Sequence, residues 1–209
     1  MTEYYIPTAP GDTEYVEKRS RFLGKVRHVE SEEEARAFID AMKKQYHDAR
    51  HNCWCYLLKN GVLRYSDDGE PQGTAGQPML NVFQKEGVTD AVCVVTRYFG
   101  GVLLGAGGLC RAYTKSAKDA LDAAGISVVR RWTEVKIPCP YNLFAQVSQE
   151  VESAGGVVTD TEYAADVTLT ALLPEGTEGD FQTRLSDLSA GNLSAEVTGE
   201  ALRAVPRQE

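Results

Sequence analysis

The most constraining feature of the sequence is the regular alternation of two apolar patterns in its last third. Short runs of continuous or alternating apolar residues, typical of strands, alternate with stretches whose apolar residues recur every three or four positions, typical of helices. The predicted order is strand, helix, strand, strand, helix, strand. The predicted strands are Glu134–Pro138, Val157–Glu162, Val167–Leu173 and Leu193–Val197, and the predicted helices cover Phe144–Ala154 and Phe181–Leu188.

This β-α-β-β-α-β order is that of a ferredoxin-like split β-α-β domain. Charge separates the same region from the rest of the chain. Up to Arg131 the sequence has 18 Lys and Arg against 17 Asp and Glu, and from Trp132 onward it has 4 against 13. We therefore predict a domain boundary between Arg131 and Trp132. The acidic second part would repel phosphates, so any polyanion must bind the first part.

The first part mixes strands and helices, so we predict a two-domain chain of the α+β or α/β class. Ser31 is a candidate helix N-cap because Glu34 follows it at capping-box spacing. The predicted elements are an extended stretch Tyr15–Val29, a helix Glu32–Tyr46, a strand Asn52–Leu58, a short helix between Pro78 and Gly87, a buried strand Ala91–Val95 and a helix Leu109–Ala124. Gly125 is placed to end the last helix.

Several classes of protein are excluded by composition. No apolar run approaches the roughly 20 residues that a membrane-spanning helix needs, and the first residues do not resemble a secretory signal. The five cysteines are an odd number spread along a chain of 209 residues, which argues against a disulfide scaffold. We expect a cytoplasmic protein with reduced thiols and no membrane partner.

A glycine-rich turn follows the buried strand and precedes a helix with a basic stripe. Glycines permit close backbone approach, and a helix N-terminus attracts anions. This pattern predicts either a phosphate or polyanion site or a tight turn beside a solvated cationic helix face. The candidate residues for binding an anion or a nucleic acid are Arg97, Tyr98, Gly100, Gly101, Gly107, Gly108, Arg111 and Lys115.

Two further motifs contain metal-ligand residue types. Asp67, Asp68 and Glu70 could hold Mg²⁺ together with a substrate phosphate, or could form an acidic surface turn. His51, Cys53 and Cys55 would point to one face of a strand. The chain offers no zinc-ligand partner motif for them, so core cysteines are the simpler interpretation. We predict no metal site and no cofactor, and we assign no residue a catalytic role.

Lys18–Arg27 contains five cations and no acid. Arg19, Arg21, Lys25 and Arg27 share parity along a predicted strand, so they would lie on one face. That face is either a basic stripe for a partner or a set of charges that blocks edge pairing between strands.

The order of the motifs is more specific than any one of them. The sequence contains Ser20-Arg-Phe22, Asp48-Ala-Arg-His-Asn-Cys-Trp54, Tyr65-Ser-Asp-Asp-Gly-Glu-Pro71, Gly73-Thr-Ala-Gly76, Val95-Thr-Arg-Tyr-Phe-Gly-Gly101, Leu104-Gly-Ala-Gly-Gly-Leu109 and Arg111-Ala-Tyr113. Over residues 14 to 126 this series closely resembles the Impact/YigZ family. The remainder looks like the small extra domain of bacterial members.

The resemblance implies an Impact N-terminal-like domain at 14–131 with a ribosomal protein S5 domain 2-like fold. It also implies a ferredoxin-like domain at 132–209, similar to the last domain of elongation factor G. Eukaryotic members of the family regulate translation. The family motif also includes four residues of unknown role, namely His51, Asp68, Glu70 and Thr74.

Two functions remain open at this point. The first is a non-enzymatic, translation-linked regulatory module that binds RNA or a ribosome-associated protein through its N-terminal domain. The second is an enzyme that acts on a small phosphorylated ligand at the glycine-rich turn, with the loop of Asp68 and Glu70. The second function requires Glu70 and Arg97 to face one concave site.

Overall fold

The computed structural model describes residues 3–207, which form two compact α+β units. The N-terminal unit comprises residues 3–129 together with 204–207, and the C-terminal unit comprises residues 130–203. None of the helices in residues 3–207 is long and apolar enough to cross a bilayer.

Ten strands and five helices make up the described residues. The strands are β1 (Tyr4–Pro7), β2 (Gly11–Glu17), β3 (Ser20–His28), β4 (His51–Leu57), β5 (Leu63–Ser66), β6 (Ala91–Tyr98), β7 (Ile126–Cys139), β8 (Val157–Tyr163), β9 (Val167–Pro174) and β10 (Glu196–Pro206). The helices are α1 (Glu32–Gln45), α2 (Gly76–Glu86), α3 (Gly105–Ala124), α4 (Phe144–Ser153) and α5 (Glu178–Ser189).

The N-terminal unit is built on an antiparallel sheet of order β2-β3-β6-β4-β5. Strand β6 is central and buried on both faces, as its continuous apolar run predicts. Cys93 and Val95 belong to the core beneath α2 and α3, whereas Val92 and Val94 belong to the core beneath α1. Because side chains alternate along a strand, Arg97 at the end of β6 continues the face that α2 and α3 cover.

Apolar periodicity located most elements correctly. The predicted helix Glu32–Tyr46 is confirmed as α1, and the Ser31 hydroxyl accepts the Glu34 backbone N–H at 3.2 Å. Gly125 ends α3 with a positive φ, as predicted.

Three predicted elements were wrong in detail. The extended stretch Tyr15–Val29 is a hairpin, because Lys18 and Arg19 adopt positive φ and reverse the chain between β2 and β3. Helix α3 begins at Gly105 rather than Leu109, so the second pair of glycines forms its first turn. The last strand is Glu196–Pro206 rather than Leu193–Val197.

The C-terminal unit contains a sheet in which β9 lies between β7 and β8, and β10 pairs with the other side of β7. Helices α4 and α5 share one apolar core with the sheet, through Val147, Val151, Phe181 and Leu185. The predicted β-α-β-β-α-β order of elements is confirmed.

The division of the chain between the two units falls within strand β7, not in a linker. The structural division falls between Val129 and Arg130, whereas the charge pattern predicts it between Arg131 and Trp132. Residues 204–207 return to the N-terminal unit, where the Arg207 backbone N–H donates to the Ile126 carbonyl at 2.8 Å. That the ranges 14–131 and 132–209 fold as separate domains stays a prediction.

Candidate functional site

A cavity of about 410 Å³ opens in the N-terminal unit where several turns of the chain meet. It lies beside the end of β6, the start of β4, the loop before α2 and the first turn of α3. Its lining residues are Arg50, His51, Gly69, Glu70, Pro71, Arg97, Phe99, Leu103, Leu104, Gly105, Ala106 and Leu109. Glu70 and Arg97 therefore face one concave site.

Strand register brings the charged wall of this cavity together. Arg97 of β6 is the Cα partner of His51 on β4 and of Phe22 on β3, so the three residues lie side by side on the helix-covered face. The Arg97 guanidinium lies 5.5 Å from the centre of the Phe22 ring and 5.6 Å from that of Phe99. Such cation–π contacts stabilise a guanidinium that is removed from water.

Arg97 and Glu70 form a buried ion pair. The Arg97 Nη1 donates to Glu70 Oε1 at 2.7 Å, and the two side chains are only 8% and 3% exposed. The Tyr113 hydroxyl donates to the same oxygen at 2.8 Å and in turn accepts from Cys53 Sγ at 3.3 Å. Burial, together with the charges of the neighbouring groups, raises the pKa of Tyr113 far above its usual value, so its hydroxyl stays protonated and keeps donating.

His51 has a defined tautomer in this network. Its Nδ1 lies 2.8 Å from the Asp68 carbonyl oxygen, which can only accept, so Nδ1 carries the proton. In the neutral ring Nε2 is then unprotonated, and it lies 4.0 Å from Glu70 Oε2. Glu70 is thus bordered by Arg97, Tyr113 and His51.

The acidic loop positions Glu70 and contributes no second carboxylate to the cavity. Asp67 accepts the backbone N–H groups of Gly73, Ala75 and Gly76 at 2.8 to 3.0 Å and so caps the start of α2. Asp68, which has a positive φ, accepts the Asn52 N–H at 2.7 Å.

Two further contacts hold this loop, one made by Thr74 and one made to Asp68 from helix α1. The Thr74 hydroxyl donates to the Pro71 carbonyl at 2.6 Å. The Lys43 ammonium lies 3.2 Å from Asp68. Asp68 and Thr74 of the family motif thus make contacts that support the loop.

The glycine-rich turn has two different roles. At Gly100 the chain packs against the β2–β3 hairpin so closely that a Cβ there would lie 2.0 Å from the Arg19 carbonyl carbon. Gly101 and Gly105 adopt positive φ in open space. Helix α3 then begins at Gly105, with no side-chain cap and no acidic residue in its first turn. The backbone N–H groups at its start therefore have no capping side chain within the described part of the chain.

The structure separates the candidate anion ligands rather than gathering them. Of the eight, Arg97 lines the cavity, and Gly107 and Gly108 belong to the first turn of α3. Tyr98 points to the opposite face of the sheet, where its hydroxyl donates to Asp48 at 2.8 Å. Arg111 and Lys115 line another, shallower recess on α3. Anion binding by any of these residues stays a prediction.

The two basic stripes are largely neutralised by the fold. Arg21 pairs with Glu14 at 2.7 Å, and Arg27 pairs with Asp12 at 2.9 Å, both across the β2–β3 hairpin. On α3, Lys115 pairs with Asp119 at 2.9 Å. Glu14 and Asp12 come from the neighbouring strand β2, so the cation count of Lys18–Arg27 alone overstated the charge of this surface.

Four of the five cysteines are core residues, and the fifth, Cys110, is partly exposed. Cys53, Cys55 and Cys93 are fully buried, and burial raises the pKa of the Cys53 and Cys55 thiols well above its usual range. The interpretation of Cys53 and Cys55 as core cysteines is confirmed. Within residues 3–207 no three His, Cys, Asp or Glu side chains are grouped as a metal site.

Three residues of the cavity were not predicted from the sequence. Arg50 is exposed at the cavity, with no ion pair or hydrogen bond among the described residues. Phe99 is 45% exposed and Leu103 is 82% exposed, on the loop between β6 and α3. An apolar residue flanked by glycines in a loop is a weak signal for a contact surface, and it becomes informative only when its exposure is known.

The motifs of this region match known families. Residues 18–121 match the Impact N-terminal domain, and residues 137–192 match a domain of unknown function, DUF1949. The Escherichia coli protein described as IMPACT family member YigZ is 34% identical over 92% of this chain and 97% of its own length. The chain belongs to the IMPACT family.

Solved structures include relatives of this IMPACT family member. A chain described as a hypothetical protein is 33% identical, covers 95% of this chain and 98% of its own, and superimposes with a TM-score of 0.60. The two-domain translational regulator Yih1 is 25% identical over 57% of this chain and 46% of its own, with a TM-score of 0.35.

Proposed function

We propose that this IMPACT family member is a translation-linked regulatory module of the cytoplasm that acts by binding, without catalysis. Its N-terminal unit recognises a ribosome-associated protein. The link to translation comes from the family resemblance. The choice of a protein partner over RNA comes from the surface of the N-terminal unit itself.

The proposed folds of the two units are consistent with this role. In the C-terminal unit the strand order β10-β7-β9-β8, with α4 and α5 in one core, supports a ferredoxin-like fold. For the N-terminal unit we infer the ribosomal protein S5 domain 2-like fold that the family resemblance implies. According to that resemblance, one fold also occurs in a ribosomal protein and the other in an elongation factor.

The observation on which the proposal rests is the apolar loop between β6 and α3. Phe99, Val102 and Leu103 are 45%, 41% and 82% exposed within five residues, beside a partly apolar cavity. Contiguous exposed apolar side chains mark protein interaction sites, because their burial against a partner is favourable. The backbone anchor at Gly100 holds one end of this loop against the hairpin.

The charges of the same unit argue against RNA as the main partner. Most cations of the two basic stripes are paired: Arg21, Lys25 and Arg27 pair with Glu14 and Asp12, and Lys115 pairs with Asp119. Few of them are therefore free to replace counterions on phosphates. Among the described residues that line the cavity, the aromatic rings are Phe99 and the largely buried His51, whereas single-stranded RNA is usually read by several exposed, stacked rings.

Cosedimentation with purified ribosomes tests the proposal. We expect association that changes little between about 50 and about 200 mM salt, because it depends on apolar contact rather than counterion release. Leu103→Ser should weaken it at least about tenfold, as for an interface anchor. Leu202→Ser, at a residue that is 60% exposed in the C-terminal unit, is the matched control and should leave it unchanged. Absence of association, or steep salt dependence with no effect of Leu103→Ser, would contradict the proposal.

A second function is favoured by one observation. His51, Glu70 and Arg97 converge on the cavity, which is the geometry that an enzyme acting on a small phosphorylated ligand needs. Hydrolysis of a simple phosphate ester such as p-nitrophenyl phosphate, abolished by Glu70→Gln in a folded variant, would replace the binding proposal with this one.

A further inference from the structure

The cavity has two chemically different walls. Six of its twelve lining residues are apolar, and the exposed ones lie in the loop and first turn of α3. The opposite wall consists of Arg50, His51, Glu70 and Arg97. Sites of this kind orient a ligand by a few polar groups while apolar contacts supply much of the affinity. A ligand that fits both walls must have a charged group next to an apolar body.

The charged wall favours an anion. Glu70 is already bonded to Arg97 and Tyr113, so its charge is compensated. Arg97 is more than nine-tenths buried, and its Nε is buried with no hydrogen-bond partner among the described residues. Arg50 adds a free positive charge, and the uncapped first turn of α3 adds backbone N–H groups and partial positive charge. At this one cavity the start of α3 lacks a side-chain cap and the Arg97 Nε lacks an acceptor within residues 3–207, and both features favour an anion there.

We propose that the cavity binds the carboxyl-terminal end of a polypeptide whose last residue is apolar. The α-carboxylate lies against the start of α3 and the Arg50–Arg97 side, and the last side chain packs on Phe99 and Leu103. This inference rests on the proposed function, in that the occupant belongs to a protein partner. It adds the chemical group by which that partner is recognised.

The shape of the site distinguishes this ligand from other anions. In a terminal apolar residue the carboxylate and the side chain branch from one Cα, so a single residue satisfies both walls. A volume of about 410 Å³ is near the lower end of small-ligand sites. Inorganic phosphate would leave the apolar wall unfilled. The polar edges of a nucleotide base would find no hydrogen-bond partners on that wall, which is unfavourable.

Fluorescence polarisation with the full chain tests the proposal. The probes are labelled hexapeptides that end in Leu, Phe, Val, Ser or Glu, each made with a free carboxylate and with a terminal amide. We expect the free acids ending in apolar residues to bind, and their amides to bind about ten- to a hundredfold more weakly, because a charge-assisted hydrogen bond is lost. Arg50→Ala should weaken the free acids about tenfold. Arg64→Ala, at an exposed arginine outside the cavity, is the matched control.

Each other outcome decides the matter. The inference is overturned if acids and amides bind equally, or if no peptide binds. It is also overturned if inorganic phosphate or a nucleoside monophosphate binds in preference to the peptides and displaces them. If no peptide binds while ribosome association still depends on Leu103, the inference fails and the proposed function stands. If the free acids bind selectively and ribosome association is absent, the peptide site stands and the proposed function fails.

Discussion

The Arg97 guanidinium donates a 2.7 Å hydrogen bond to the Glu70 carboxylate, and neither side chain is more than a tenth exposed. The pair joins the central strand β6 to the loop that precedes α2. The pair forms part of the cavity wall. Removal of either partner would also leave the other charge uncompensated in the interior. Arg97 is therefore as much a structural residue as a candidate ligand.

Removing one partner of this pair should destabilise the chain. We expect Arg97→Ala to lower the free energy of unfolding of the N-terminal unit by about 3–5 kcal/mol, because Glu70 is left buried and unpaired. The double variant Arg97→Met with Glu70→Leu should recover much of that loss. Urea unfolding of the two variants and the wild type measures both effects. An unchanged midpoint for Arg97→Ala would show that the pair is not structural.

The acidic loop is expected to stabilise α2 rather than to bind metal. Asp67→Ala removes the acceptor for three backbone N–H groups and should cost about 1–2 kcal/mol, in the range of a lost helix cap. Asp67→Asn retains one oxygen acceptor and should cost less. Thermal melts with and without added Mg²⁺ or a chelator check this prediction. A melting temperature that rises with Mg²⁺ in the wild type and not in Asp67→Ala would contradict it.

Thiol reactivity follows from burial. Cys110 is partly exposed, whereas the other four cysteines are buried. Burial raises the pKa of Cys53, Cys55 and Cys139, so in the folded chain they remain protonated thiols above the pH at which a free thiol ionises. At pH 8 we expect a thiol reagent to modify one cysteine per chain rapidly, and mass spectrometry should locate it at Cys110. Rapid modification of Cys53 would mean that the cavity network opens in solution.

The ends of the N-terminal unit are predicted to depend on each other. A fragment of residues 1–131 contains the apolar core of this unit, so we expect it to fold. It lacks residues 204–207, including the buried Val205 and the backbone bond from Arg207 to Ile126. Its melting temperature should therefore lie below that of the same unit in the full chain. An unfolded fragment would show that the unit is not an independent domain.

Much of the fold could be predicted because its signals are local. The spacing of Phe38, Ile39 and Met42 predicts α1, and the apolar run from Ala91 predicts a central strand. The short strands β1 and β5 were missed, because four residues are too few to show a periodic apolar pattern, and Leu63–Ser66 is also mostly exposed. The hairpin at Lys18 and Arg19 was missed because neither residue type favours positive φ.

The site was less predictable because its residues meet only through tertiary structure. Motif order selected Glu70 and Arg97 separately, but strand register and the Asp67 cap bring them together. Helical spacing grouped Arg111 and Lys115 with the glycine-rich turn. In the structure Arg111 and Lys115 lie further along α3, where they line another recess. Neither the close packing of Gly100 against the hairpin nor the exposure of Leu103 is encoded by a local pattern.

The central claim is that the loop between β6 and α3, with the start of α3, is the contact surface for a ribosome-associated protein. Amide hydrogen exchange of the full chain, alone and bound to ribosomes, tests it most directly. We expect slowed exchange at residues 100–109 on binding, with little change at Lys115–Asp122 on the same helix. Protection confined to the Lys115–Asp122 face, or to the C-terminal unit, would contradict it.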